Sequence, residues 1–279
     1  QPGRHRGIRR GRGRIELEQR EFDASAAKIQ AVRAVHLKLL RELFRQLGAR
    51  SLKHELQALT DALQQRGLKL GVRKIYEDQD GDVWVCTDHG INLYDRATRQ
   101  LLNFIVYDKT GKYSTTWAYD ILQDRKGRIW MASYQGGIFV MEKQRLVAAI
   151  AHAASGTATC VADYHFSDKG QNALSGLHVG QMVLDVKGMI WASSHNHLDR
   201  IDPYTMRVAH IGGNDAINYL MASGNGNVWV GYNASVKCYM VNLPMKGKEV
   251  DSKEWKIGDK VVSMCDVEGN IWVAAGNAC

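Results

Sequence analysis

The chain has 279 residues, enough for a sizeable buried core, and a formal net charge of +8. Residues 1–70 carry 16 Lys and Arg against 7 Asp and Glu, whereas residues 71–279 carry 21 against 22. The larger part therefore has no net cationic footprint for a phosphate backbone, and nucleic acid is excluded as its expected partner.

Residues 1–14 hold six Arg, one His and four Gly, a composition that cannot build a core, so residues 1–21 read as a basic, disordered leader. No aromatic residue interleaves those arginines to stack a base. Residues 22–70 read as an amphipathic α-helical hairpin. Asp23 is its N-cap, and apolar residues recur at Ile29, Val32, Leu39, Leu40, Leu43 and Leu47 up to Gly48. A second run, Leu52, Leu56, Leu59 and Leu63, ends at Gly67. The apolar stripe of such a hairpin packs against its own protein or docks a partner.

From residue 71 to 279 one phrase occurs five times: an acidic or small polar residue, Gly three positions on, and Trp three further. The copies are Asp78-Gly81-Trp84, Asp124-Gly127-Trp130, Asp185-Gly188-Trp191, Ser223-Gly226-Trp229 and Asp266-Gly269-Trp272. The spacing inside the phrase is constant while successive Trp residues stand 46, 61, 38 and 43 residues apart. That pattern is one supersecondary unit repeated with loop insertions, at the period of a four-stranded propeller blade. Apolar runs before each phrase read as strands, Asp-x-x-Gly as a tight reversal with Gly at φ > 0, and the Trp strand as the return. The motif Trp and Gly residues are read as architecture, with the aromatic ring packed between adjacent sheets.

The fold expected is mainly β, five β-propeller blades out of a larger ring. Blade one spans Arg73–Tyr107, blade two Trp117–Ile150, blade three Val179–Ile211 and blade four Ile217–Val241, and blade five begins near Val261. The interval Ala151–Gly180 reads as an elaborated loop that carries the first strand of blade three. Five cysteines (Cys86, Cys160, Cys238, Cys265 and Cys279) form no C-x-x-C pair and no zinc-like spacing. Cys86 and Cys265 fall in strand patterns and read as small buried thiols.

The stretches IYEDQDGDVWVCTDHGINLYDRAT, WAYDILQDRKGRIWMASYQGGIFVMEKQRL and GQMVLDVKGMIWASSHNHLDRIDPYTMRV resemble the two-component-regulator propeller repeat. They are similar in particular to the periplasmic sensor region of Bacteroidetes hybrid two-component systems. The resemblance implies a seven-bladed ring, of which five phrases lie in this chain. It also implies a periplasmic input module for a histidine kinase encoded elsewhere in the protein, an oligosaccharide ligand, and a homodimer in the full-length protein.

With the first strand of each blade innermost, the loops after each Trp strand share one face with the loops leading into each blade. The post-Trp loops read Thr87-Asp88-His89-Gly90, Ser133-Tyr134-Gln135-Gly136, Ser194-His195-Asn196-His197, Tyr232-Asn233-Ala234-Ser235 and Ala275-Gly276-Asn277-Ala278. Amides, imidazoles and aromatic rings on one rim suit a neutral polyhydroxylated ligand. The candidate binding residues are His89, Trp117, Tyr134, Gln135, His195, Asn196, His197, Tyr232 and Asn233. No catalytic residue, metal or cofactor is assigned. The alternatives are a metal-assisted lyase, in which His195 and His197 share a strand face near His89, and a protein-interaction scaffold docked through the hairpin.

Overall fold

The computed structural model describes residues 71–279 other than 96, 99, 152–155, 213–214, 242–249 and 277–279. The expectations for the leader at 1–21 and the hairpin at 22–70 lie outside the described residues.

Each Asp-x-x-Gly-x-x-Trp phrase forms the turn between the first two strands of a sheet. In the first copy β1 (Lys74–Glu77) pairs antiparallel with β2 (Val83–Thr87). Asp78 Oδ1 accepts the backbone N–H groups of Asp80 and Asp82, each at 3.0 Å, and Gly81 takes φ 83°. The second carboxylate oxygen, Oδ2, accepts Trp84 Nε1–H at 2.8 Å. Asp124 and Asp185 repeat both contacts, each taking its Trp indole N–H at 2.8 Å. A single carboxylate thus holds the turn backbone and fixes the rotamer of the Trp six residues on, which is why the Asp–Trp offset cannot vary. In the fourth copy the shorter Ser223 hydroxyl accepts Trp229 Nε1–H at 3.3 Å.

Four sheets have four or more strands. The first is β1-β2-β3-β4, with β3 at Gly90–Asp95 and β4 at Gln100–Tyr107. The second contains β5 (Ala118–Gln123), β6 (Arg128–Ser133) and β7 (Gly137–Glu142). The third is β10 (Val179–Leu184), β11 (Ile190–Ser194), β12 (His197–Asp202) and β13 (Arg207–His210). The fourth is β14 (Tyr219–Ala222), β15 (Val228–Gly231), β16 (Ser235–Tyr239) and β17 (Ser252–Lys256). A two-stranded sheet, β18 (Val261–Val267) with β19 (Asn270–Ala275), begins blade five. First strands neighbour first strands, β1 to β5 to β10 to β14 to β18. They are therefore innermost, and the Asp-x-x-Gly turns lie on one face with the post-Trp loops on the other.

The interval after β7 departs from the sequence expectation. It forms a helix, α1 (Lys143–Ala151), and then two strands that belong to earlier blades rather than to blade three. Of these, β8 (Ala158–Val161) adds parallel to β4 as a fifth strand of blade one. The other, β9 (Tyr164–Phe166), pairs antiparallel with β7 as the outer strand of blade two. Blade two therefore runs past Ile150, and blade four past Val241 to β17. Such outer strands are short and weakly patterned, and a three-residue strand carries no period to read.

The core lies between blades. Trp84, Trp130 and Trp191 are all 0% exposed. Trp84 packs with Ile121, Ile129, Met131 and Phe139 of blade two, Trp130 with Val179, Met182, Ile190 and Ala192 of blade three, and Trp191 with Leu220, Val228 and Val230 of blade four. Trp272, with no described blade beyond it, is 65% exposed. Cys265, expected as a buried thiol, is exposed on that same blade, whereas Cys86 is buried.

Polar pins reinforce the stack. Buried Asp120 on β5 lies 3.4 Å from Lys74 Nζ on β1 and accepts the Met182 N–H of β10 at 2.7 Å, linking three blades. Its charge raises the Lys74 ammonium pKa above 10.5 despite burial. Lys143, at the start of α1, places Nζ 2.6–2.7 Å from carboxylate oxygens of Asp78, Asp80 and Asp82 in the blade-one turn. Those three carboxylates hold its pKa well above the usual lysine value.

Candidate functional site

On the post-Trp face, aromatic and imidazole rings from two consecutive blades, two and three, form a continuous line. Tyr119, at the start of β5, stacks on Tyr134 of the loop after β6, with centroids 5.4 Å apart and planes at 21°. Trp117 lies against the same Tyr134 ring, with centroids 5.4 Å apart and planes tilted by 36°. His178, in the segment leading into β10, meets Tyr134 edge-on at 4.4 Å and Tyr119 at 5.5 Å. His195 continues the line 6.4 Å from His178. At the blade-one end, Arg73 lies over the Tyr119 ring at 4.9 Å while pairing with Asp88 at 3.2 Å.

Backbone contacts fix this arrangement. Tyr134 N–H donates to Trp117 O at 3.0 Å and His195 N–H to His178 O at 2.6 Å. Each post-Trp loop is thus tied to the segment leading into a blade, which brings residues distant in sequence onto one rim. His195 accepts this at φ 59°, a left-handed conformation unusual for a residue with a Cβ. Burial and the neighbouring His195 both lower the His178 pKa below 6.5, favouring the neutral ring.

Beside Trp117 and Tyr134 lies a cleft of about 300 Å³, at the small end of ordinary ligand pockets. Its wall is the 108–116 hairpin, where Asp108 accepts the N–H groups of Thr110 and Tyr113 at 3.1 and 2.8 Å. Ser114 Oγ and Thr116 Oγ1 are 2.8 Å apart, and Ser133 Oγ donates to Ser114 O at 2.8 Å. Gln135 completes the lining. A 53% exposed Trp117 above hydroxyl and amide groups gives one apolar platform with polar groups around it.

Trp117, Tyr134, Gln135 and His195 are brought together on this rim. Asn196 is exposed in the same turn as His195. Asn233 is exposed on blade four, where its Oδ1 accepts Asn218 Nδ2–H at 3.0 Å. His89 is exposed in the blade-one loop, and its carbonyl accepts Asn103 Nδ2–H at 2.9 Å. Two expectations need correction. Tyr232 is only 7% exposed and belongs to the blade three–four core, where burial raises its phenol pKa far above 10. His195 and His197 do not share a strand face: His197 begins β12 opposite Ser194, while His195 occupies the turn between. Among the described residues no group of three or more His, Cys, Asp or Glu is arranged to hold a metal ion.

Tyr119, His178 and Arg73 are members of the line that the loop reading missed. All three stand at or just before the first strand of a blade, and among such positions the sequence expectation had taken up only Trp117. Their signal is positional: the residues flanking the start of each first strand face the post-Trp loops.

A profile of the family described as Two component regulator propeller matches residues 69–89 and 112–135. The extracellular domain of the hybrid two component system BT4673 from B. thetaiotaomicron superimposes with TM-score 0.62 at 31% identity, over 73% of this chain and 27% of that one. The corresponding domain of BT3049 from the same organism gives TM-score 0.56 at 18% identity, over 74% of this chain and 27% of that one. Virginiamycin B lyase from Staphylococcus aureus gives 0.52 at 12% identity, over 74% and 63% of the two chains. At those last two identities the likeness is one of fold alone. The chain spans only about a quarter of the extracellular domains it matches. No curated protein sequence matches it significantly. The chain is thus similar to the two component regulator propeller family over two of its repeats in sequence, and its blades superimpose on those of the extracellular domain of a hybrid two component system.

Proposed function

We propose that this propeller is a ligand-sensing module on the periplasmic side of a hybrid two-component sensor, that its rim recognises an oligosaccharide, and that occupancy is passed to a kinase elsewhere in the protein. The observation that carries the reading is the ring line Trp117–Tyr134–Tyr119–His178 beside a hydroxyl- and amide-lined cleft. Exposed aromatic faces cover the C–H surfaces of sugar rings, while Ser, Thr and Gln groups exchange hydrogen bonds with sugar hydroxyls in both directions. Rings from blades two and three meet on one rim, so a ligand there bridges blades, a geometry suited to reporting occupancy through their relative packing. Binding rather than catalysis fits the rim, because among the described residues lining the cleft there is no carboxylate, imidazole or thiol. The lyase likeness extends to fold alone, and with His195 and His197 on different elements nothing on the rim favours that reading.

The test is a thermal-shift screen of the chain against an oligosaccharide library, followed by titration. A ligand at 100 times its Kd stabilises by about 2.7 kcal/mol. Trp117→Ala should weaken binding at least tenfold while leaving the melting temperature nearly unchanged. If no glycan stabilises the protein, or if Trp117→Ala binds as wild type does, the reading fails.

A further inference from the structure

The cleft beside Trp117 is electrostatically one-sided. Among the residues lining it, Lys112 is the only charged side chain, and no carboxylate lines it. The ammonium is fully exposed and stands over the Tyr113 ring, 4.7 Å from its centroid. Among the described residues no carboxylate lies within ion-pair distance of it. Asp108, whose two oxygens accept from Thr110 and from the Tyr113 N–H, and Asp168 act on the ammonium from beyond ion-pair distance. The other cation on this rim, Arg73, is paired with Asp88.

Lys112 is also held in place rather than carried on a loose tip. Its hairpin is closed by Asp108 N–H to Tyr113 O at 3.0 Å, by Thr115 N–H to Val106 O at 2.9 Å, and by the isolated bridge between Tyr107 and Ser114. Gly111 supplies the φ of 72° that the reversal demands. Tyr113 beneath the ammonium packs against His165 at 5.3 Å, and His165 Nε2 lies 2.6 Å from Gly136 O of the neighbouring loop. A lysine stem lying on a packed aromatic ring loses less freedom when it meets a ligand, and its charge attracts anions while repelling cations.

Resting on the oligosaccharide reading above, we infer that the saccharide recognised at the Trp117 cleft is acidic, carrying a carboxylate or sulfate on the sugar that lies next to Lys112. The aromatic platform supplies the affinity common to all sugars. The one charge lining the cleft, free of a direct ion pair among the described residues, supplies the discrimination, because an acidic sugar gains an ion pair there and a neutral one gains nothing.

The experiment titrates the full chain with uronic-acid oligosaccharides, namely oligogalacturonides and glycosaminoglycan disaccharides, and with their carboxyl-reduced and desulfated counterparts, at low and high salt. The expected result is at least threefold tighter binding of an acidic member than of its neutral counterpart, with the advantage shrinking as salt shortens the Debye length from about 30 Å at 0.01 M to about 8 Å at 0.15 M. Lys112→Gln should abolish that advantage without changing the affinity for the neutral counterpart. Lys126→Gln, which removes an equal charge from an Asp-x-x-Gly turn on the opposite face, should leave it intact. If neutral saccharides bind at the cleft as tightly as acidic ones, or if Lys126→Gln has the same effect as Lys112→Gln, the inference is overturned while the sugar-binding reading stands. If no member of either series binds while another glycan of the library does, the inference falls alone; if no glycan binds, both fall.

Discussion

At the scale of single residues, the Asp–Trp clamp separates architecture from recognition. Trp130→Ala removes a fully buried ring and one donor to Asp124 Oδ2, which keeps its pairing with Arg128, and should cost about 3–5 kcal/mol. Trp272→Ala, at the same position of the repeat but 65% exposed, should stay within about 0.5 kcal/mol of wild type. Urea midpoints of the two variants check both values. Tyr134 shows where reading a sequence falls short. As a loop tip it would be expected to contribute almost nothing to stability, yet its ring is in contact with Trp117, Tyr119 and His178. Aromatic pairs add roughly 0.5–1.5 kcal/mol beyond their burial, so Tyr134→Ala should lower both stability and binding. Trp117 is the cleaner binding probe for that reason. His178 adds a pH dependence of known sign. Its folded pKa is depressed below 6.5 by burial and by His195, so the unfolded chain binds the proton more readily. Stability from this group is complete above 6.5 and is lost as pH falls from there toward the lowered folded value. In chemical denaturation between pH 7 and 5, His178→Gln should show a shallower loss than wild type.

At the scale of elements, the five turn-and-Trp hairpins were legible because their chemistry is local. Asp, Gly and Trp act within one seven-residue stretch, and each is needed for a contact inside it. The outer strands were not, because β8, β9 and β17 are defined by what they pair with. Nothing in Ala158–Val161 announces a parallel partner in blade one. One residue does mark β9. Gly137 sits at φ 78°, and a Cβ there would fall 2.1 Å from Phe166 O. Gly137→Ala should therefore force β9 off β7, costing upwards of about 1 kcal/mol. Hydrogen exchange should then report lost protection across Tyr164–Phe166 while β5 and β6 stay protected. If protection at β9 is unchanged, the outer strand of blade two is held by something other than this close approach.

At the scale of the molecule, the recognition rim was half visible. The post-Trp loops were identified from the repeat, but the partner segments leading into each first strand were not, since Leu177-His178 carries no motif. The stack has a direction, seen in where each Trp goes. Blades one, two and three each bury their ring under the blade that follows in the chain, and Trp229 of blade four packs partly buried against Val261 and Met264 of blade five. A repeat array with nearest-neighbour coupling of this kind comes apart from its weakest boundary. Among the described residues the least buried blade is the two-stranded sheet of blade five, whose Trp272 ring is 65% exposed. Loss of β18–β19 would uncover Trp229, loss of blade four would then uncover Trp191, and the process would move toward blade one like a zip opened from one end. Amide exchange should accordingly be fastest in Val261–Ala275 and slowest around Trp84 and Trp130, and a probe at Trp229 should respond to denaturant before one at Trp130.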